Sequence, residues 1–492
     1  MTFTDYIFEF SSKLNKTSVI FKNELSYKEI FEDVNRKASF IKNKELSKKD
    51  SVLLVSENSN FFIENYFGII KSGAVCVPIN PALNSKDIKY IIDFLNIKLV
   101  FAQNKFSKKI KKFISSKIEL FTECSECDFI DLHQNDNNED INIKEDVAVI
   151  LFTSGSTGAP KGVMLTHYNL IYNTNSILEY LKLTEEDRVE MVLPFYYCYG
   201  TSILHTHFRV GGSIVINNKF MFPQTVVEDI NKYNCTGFSG VPSTFQILFR
   251  MTNIEYTKFP SLRYITQAGG RLPEIFIRKL IDSLKTIDIF IMYGQTEATA
   301  RLSYLPPNLI SKKMNSIGKG IKGTELVVLN SEGKSVTYGE IGEVAARGGN
   351  IMKGYFNDKV GTESVIKQGY LYTGDLAKID NEGYIYIVSR EKNIIKSGGN
   401  RISPKEIEDI ILEIPQVVEC VVIGVENDIL GEAVKAFVVL TNNKSSIDFK
   451  YILDFCRKQL PSYKTPRYIE FLKVLPKNSS GKVLIKKLKE LK

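Results

Sequence analysis

Tryptophan is absent from the sequence, so its aromatic surface is built from 31 phenylalanines and 24 tyrosines alone. Cysteine is sparse: seven residues, an odd number scattered over a long chain, exclude a disulfide framework and read as reduced thiols. Cys124 and Cys127 form a lone C-x-x-C. Without a second pair or a suitably spaced histidine, it reads as a polar surface segment rather than a zinc or redox site. No apolar run approaches the roughly 20 residues of a membrane helix, which excludes an integral segment of that kind. The first ten residues hold Asp5 and Glu9 and lack a basic start before an apolar core. No secretory leader is therefore expected, and the cytoplasm is the expected compartment. Internal repeats and low-complexity blocks are also missing. The formal net charge is +8, but the lysines are spread along the chain, denser only at Lys108–Lys112 and Lys482–Lys492. With no aromatic-interleaved basic strip, a nucleic-acid partner is not expected; the excess charge attracts small anions instead.

What is present is a globular composition, 43% hydrophobic and 24% charged, in 492 residues, too many for one ordinary core. Short β-branched runs alternate with helical patterns through the first three hundred residues. Ser51–Ser56 reads as a buried strand, Phe61–Lys71 as an amphipathic helix and Ala74–Ile79 as the next strand. The rhythm returns at Asp146–Phe152, Arg188–Leu193, Ser213–Ile216, Tyr264–Gln267 and Asp288–Tyr293. Such alternation predicts parallel, doubly wound sheets with ligands at the carboxyl ends of strands. Asp131–Asp146 is Asn/Asp-rich and reads as a surface loop. From Gly318 to about Val388, short strands separated by glycine turns predict a small antiparallel sheet or barrel. Beyond Arg390 come helix Pro404–Leu412, strands Val417–Val425 and Ala433–Leu440, and helix Asp448–Gln459. The expected fold class is α/β: a large N-terminal domain, residues 1–390, of doubly wound parallel sheets plus a small β-barrel, then a small α+β C-terminal domain, residues 391–492.

The strongest local signal is Thr153-Ser154-Gly155-Ser156-Thr157-Gly158-Ala-Pro-Lys161-Gly162, directly behind an apolar strand. Its hydroxyls, flexible glycines and terminal lysine can wrap phosphate oxygens. A plain Gly/Ser surface loop fits poorly, and Gly162 after the lysine excludes a Walker A motif. Two other patterns carry little. Gly318-Lys-Gly-Ile-Lys-Gly323 fits G-x-G-x-x-G but precedes the strand-like Glu325–Leu329, not a helix. His205 and His207 have no carboxylate or cysteine at ligand spacing and read as pocket lining or core.

The hydroxyl loop resembles the phosphate-binding signature of the acyl-adenylate-forming superfamily, which includes acyl-CoA synthetases, beetle luciferases and the adenylation domains of peptide synthetases. Ser26–Ile30, Lys71–Pro81, Tyr293-Gly-Gln-Thr-Glu297, Tyr372-Thr-Gly-Asp375 and Gly481-Lys482 are similar to the family's further motifs, in its order and over nearly the whole chain. The resemblance implies an ATP-dependent enzyme that makes an acyl-AMP, releases pyrophosphate and forms a thioester, with ATP, Mg²⁺ and coenzyme A as cofactors and co-substrate. It implies that Tyr293, beside Gly294, stacks on adenine, that Thr296 donates to the α-phosphate and that Glu297 holds Mg²⁺. Ala268 and Gly269 would lie against adenine and the acyl group, and Asp375 with Arg390 would hold the ribose. Lys392 takes the hinge position, about which the C-terminal domain is mobile. Lys396 resembles a lysine of the second half-reaction, a bare hinge loop being the other reading. Lys482 resembles the adenylation lysine, whose ammonium stabilises charge as pyrophosphate leaves.

For the acid, the segment Pro194-Phe195-Tyr196-Tyr197-Cys198-Tyr199-Gly200 lacks the aspartate that amino-acid-activating relatives carry. Tyr197 stands where many acyl-CoA synthetases have histidine. With Val241, Phe195, Tyr196, Tyr197 and Tyr199 would line an apolar or aromatic pocket suited to a fatty or aryl acid. Coenzyme A is the expected acceptor. A separate acyl carrier protein is the alternative, and a catalytically inactive nucleotide sensor is the alternative from another class.

Overall fold

The computed structural model describes the whole chain except residues 45, 125–139, 154–159, 391–392, 442–446, 478–482, 492 and the side chain of Arg401. Two large sheets form the body. One runs in the order Lys319–Gly320, Ser303–Leu305, Asp288–Tyr293, Tyr264–Gln267, Gly237–Gly240, Arg188–Met191, Ser213–Ile216, Thr17–Ile20 and Glu24–Ser26. Its central strands are parallel. The other runs Gly354–Tyr355, Lys161–Thr166, Val147–Thr153, Val75–Ile79, Ser51–Val55, Leu99–Ala102 and Glu119–Phe121, parallel over its last five strands. These strands read as unbroken apolar runs because helices cover both faces. Asn60–Ser72 shows why: it begins on the Ser59 side chain, ends at left-handed Gly73, and buries an unbroken stretch from Phe61 to Ile70.

The glycine-turn region forms a five-stranded antiparallel sheet of Glu325–Leu329, Ile341–Arg347, Tyr370–Ile379, Ile366–Lys367 and Ile385–Arg390. From Ile395 onward the chain builds a fourth sheet around the long hairpin Val417–Asn427 and Gly431–Leu440, flanked by helices Pro404–Leu412 and Phe449–Gln459. Ile395, Ile402, Ile407 and Ile411 of this unit share one apolar cluster with Phe245, Phe249 and Phe276 of the body. Arg250 donates to the carbonyl oxygens of Leu412 and Pro415, and Arg271 pairs with Asp409. Among the described residues no helix is long and apolar enough to cross a membrane. Of the Asn/Asp-rich stretch and the C-x-x-C, residues 125–139 lie outside the described residues; Cys124 is an exposed free thiol.

Candidate active site

The parallel strands deliver their carboxyl ends to a cleft of about 550 Å³ between the body, the antiparallel sheet and the C-terminal unit. Asp375 lies in this cleft on the strand Tyr370–Ile379, just after left-handed Gly374. Its carboxylate accepts from Tyr293 Oη at 2.8 Å and from Arg390 Nε at 3.0 Å. The Asp375 charge in turn holds the Arg390 guanidinium above its ordinary pKa. Burial and that same carboxylate hold the Tyr293 hydroxyl well above the usual tyrosine range, so it donates as a neutral phenol. The triad presents an aromatic face beside a clamped carboxylate, a combination that can take a purine and a vicinal diol.

Strand Asp288–Tyr293 turns at Gly294 into Thr296 and Glu297, then returns antiparallel through Ser303–Leu305. A Cβ at Gly294 would overlap the Ala300 carbonyl oxygen and lie 2.9 Å from the Arg301 Cα, so only glycine closes this hairpin. Thr296 Oγ1 is 3.5 Å from Cys198 Sγ. Glu297 accepts from Tyr355 Oη at 2.9 Å, and the Lys161 ammonium lies 4.5 Å above the Tyr355 ring and 3.1 Å from Asp358. Thr153 pairs with Lys161 across two antiparallel strands. Ser154, Gly155, Ser156, Thr157 and Gly158 themselves lie outside the described residues.

Ala268 and Gly269 follow the strand Tyr264–Gln267; Gly269 is left-handed and faces Val241, whose Cγ1 a Cβ would meet at 3.0 Å. Tyr199 donates to or accepts from Thr266 Oγ1 at 2.8 Å, and Tyr196 and Tyr197 lie ring to ring, 5.1 Å apart. Phe195 departs from the pocket reading: its ring is fully buried against Phe62 and its N–H donates to Asn58, which makes it a core residue under the pocket segment. His205 and His207 are likewise core. They bond Tyr66 and Tyr264, and burial holds them neutral, with pKa values lowered to about 3 and about 4.

Lys396 is not in the cleft. Its side chain is exposed, and its N–H donates to Glu432, which itself lines the cleft. Lys392 and Lys482 lie outside the described residues, but Val483 and Leu484, which follow Lys482, line the cleft with Tyr293 and Asp375. Sequence reasoning missed Tyr355, Asp358, Gln267 and Lys405. Gln267 carried a signal, a polar residue closing an apolar strand; its amide donates to the carbonyl oxygens of Ala268 and Gly270 and shapes that turn. Tyr355 and Asp358 carried none, because only the pairing of Gly354–Tyr355 with the strand Lys161–Thr166 brings them to the loop. Lys405 lines the cleft with its pKa lowered by burial.

A magnesium ion takes one or two carboxylates and completes its shell with phosphate oxygens and water. Glu297, a single carboxylate at the strand end beside Lys161 and Tyr355, fits that role, and among the described residues no cluster of three or more metal-ligating side chains competes with it.

A body of two parallel sheets, a nucleotide cleft at their carboxyl edge and a small unit closing over it define an adenylate-forming ligase. Residues 10–356 match the family of AMP-binding enzymes, and residues 406–482 match the AMP-binding enzyme C-terminal domain. The chain is 28% identical to the long-chain-fatty-acid–CoA ligase of Bacillus subtilis strain 168, over 97% of this chain and 92% of that protein. It is 30% identical to the feruloyl-CoA synthase of an Amycolatopsis species, over 94% and 92%. Among solved structures, o-succinylbenzoate CoA synthetase from Bacillus subtilis in complex with its acyl-adenylate intermediate superposes with a TM-score of 0.88 at 26% identity, covering 100% of this chain and 98% of that one. The same synthetase has been solved with ATP and a magnesium ion. The chain belongs to the AMP-binding enzyme family. It is an AMP-forming acyl-CoA synthetase, which activates a carboxylic acid with ATP and Mg²⁺ as an acyl-adenylate and forms the thioester with coenzyme A.

Proposed function

We propose that this enzyme takes a fatty or aryl acid in the pocket of Tyr196, Tyr197, Tyr199 and Val241, and that the triad of Tyr293, Asp375 and Arg390 binds the adenosine of ATP. The observation that carries the reading is this triad, closed over by Val483 and Leu484 from the C-terminal unit. Thr153, Lys161 and the hydroxyl loop hold the β- and γ-phosphates, Lys161 exchanging Asp358 for phosphate. Glu297 would hold the magnesium ion, whose chemistry is to neutralise phosphate charge as pyrophosphate departs. Thr296, at the junction with the acid pocket, orients the α-phosphate toward the attacking carboxylate. Lys482, two residues before Leu484, supplies the ammonium that stabilises charge on the α-phosphate.

The C-terminal unit, residues 391–492, then turns about Lys392. That motion withdraws Lys482 and brings Lys396 and Gly398–Gly399 to the thiol. Coenzyme A is the acceptor; a carrier protein is the alternative, and the cytoplasm is the compartment in which ATP and coenzyme A meet. The test is pyrophosphate release across fatty, aryl and hydroxy acids with and without coenzyme A, for wild type and Lys482→Ala. Release accelerated by coenzyme A, with Lys482→Ala losing adenylation by roughly 10²–10³ but keeping transfer from supplied acyl-AMP, is the expected result. Equal loss of both half-reactions would sink the division of labour, and acid-dependent release indifferent to coenzyme A would point to a carrier protein.

A further inference from the structure

Among the described residues, one buried cation beside Tyr199 of the proposed acid pocket has no counter-charge. Arg301 is 2% exposed, four residues beyond Glu297, with its Cα against Gly294 at the strand end. Its guanidinium lies 5.0 Å from the Tyr199 ring, and its Nε donates to Tyr180 Oη at 3.1 Å. Among the described residues its two terminal nitrogens make no hydrogen bond and no carboxylate pairs with it. Those nitrogens are also not sealed from solvent, unlike the partnerless Nε atoms of Arg188 and Arg250. The groups around it cannot supply a charge. Tyr180 gives its own proton to Met292 Sδ, and the Tyr199 hydroxyl is pushed up to about 12 by burial against the pull of Arg301. A cation–π contact and one neutral acceptor compensate a buried guanidinium only in part, and a buried charge without a partner is costly. Arginine presents a fork of donors suited to a carboxylate.

The position of this cation relative to the reacting end is fixed by two consecutive residues. Cys198 touches Thr296, and Tyr199 carries the Arg301 guanidinium on its ring. We propose, resting on the acid-activating reading above, that the preferred acid carries a second carboxylate at its far end: one carboxyl group is activated beside Thr296 and the other pairs with Arg301. Tyr199 forms the wall between the two ends, and its hydroxyl is fixed by Thr266, which Ser239 also bonds at 2.7 Å. Among fatty and aryl acids, an unsubstituted alkyl end would lie against the unpaired guanidinium, so the site favours those ending in a carboxylate.

The experiment measures kcat/KM for pyrophosphate release with matched pairs. Succinate, glutarate, adipate and terephthalate are each compared with their monomethyl esters, and with straight-chain monoacids of equal length. Wild-type enzyme is expected to favour the best diacid over its half-ester by about 30-fold or more, the range for removing one partner of a buried charge pair. Arg301→Met is expected to collapse that preference and Arg301→Lys to keep part of it. The half-ester comparison on wild type stands even if a variant fails to fold. Half-esters or monoacids turned over as well as or better than diacids would overturn this inference while leaving the ligase reading in place. No release with any acid would overturn the ligase reading, and this inference with it.

Discussion

Tyr355 joins the two halves of the proposed phosphate site. Its hydroxyl donates to Glu297 and its ring lies under the Lys161 ammonium. Tyr355→Phe keeps the ring under Lys161 but frees the Glu297 carboxylate to reorient. A hydrogen bond to a charged group is worth about 1.5–3 kcal/mol. The expected outcome is therefore a fall of roughly tenfold or more in kcat/KM for Mg·ATP, with a raised Mg²⁺ requirement and an unchanged KM for the acid. Magnesium titrations of pyrophosphate release check this, and an unchanged magnesium dependence would detach Tyr355 from the metal role. The buried histidines set a second residue-scale expectation. His167, His205 and His207 are held neutral by burial, with pKa values lowered to about 4, about 3 and about 4. The unfolded chain binds protons at these positions below about pH 6.5, so stability is fully present above that pH and is lost as pH falls toward 4. Urea midpoints measured from pH 7.5 to 4.5 should fall steadily, and His207→Gln should flatten the slope.

At the scale of elements, two motif glycines behave differently, Gly374 within the strand Tyr370–Ile379 and Gly294 just after the strand Asp288–Tyr293. Gly374 is left-handed with open space around it, so Gly374→Ala costs only the backbone strain of about 1–2 kcal/mol. At Gly294 a Cβ would run into the Ala300 carbonyl, backbone on backbone, inside the hairpin that carries Thr296, Glu297 and Arg301. Gly294→Ala is expected to lower the melting temperature by several degrees and abolish adenylation, whereas Gly374→Ala keeps both within a modest factor; similar effects from the two would refute the steric account. The same contrast marks what could be read from the chain. Strands Tyr264–Gln267 and Asp288–Tyr293 and helix Pro404–Leu412 match their sequence reading end to end, because each is a short apolar run or amphipathic face bounded by turn residues. The motif residues were legible because each motif is contiguous in sequence, Tyr293–Glu297 just past a strand end and Tyr372–Asp375 around the left-handed turn residue Gly374. Tyr355, Asp358 and Arg301 were not. Their partners lie on other strands, and no local pattern reports a pairing such as Gly354–Tyr355 on Lys161–Thr166. The edge pairing of Thr17–Ile20 with Ser213–Ile216 was hidden for the same reason.

The whole molecule shows one arrangement of the C-terminal unit, with Val483 and Leu484 in the nucleotide cleft and Lys396 outside it. Besides the apolar cluster shared with Phe245, Phe249 and Phe276, polar contacts hold it there: Arg271 with Asp409, and Arg250 with the carbonyl oxygens of Leu412 and Pro415. In the proposed mechanism these contacts hold body and C-terminal unit together for adenylation, and rotation about Lys392 would break them before the thiol is served. Removing them should therefore separate the half-reactions. For Asp409→Asn, and more strongly for Asp409→Asn with Arg250→Ala, pyrophosphate release is expected to slow severalfold because the closing arrangement is less populated. Transfer from supplied acyl-AMP to coenzyme A should be preserved or faster, since the same change lowers the cost of leaving. Single-turnover measurements of each half-reaction decide the matter. If both rates fell together, the contacts would be supporting the fold of the unit rather than its position. If only transfer fell, the arrangement seen here would belong to the second half-reaction, and the roles assigned to Lys482 and Lys396 would have to be exchanged.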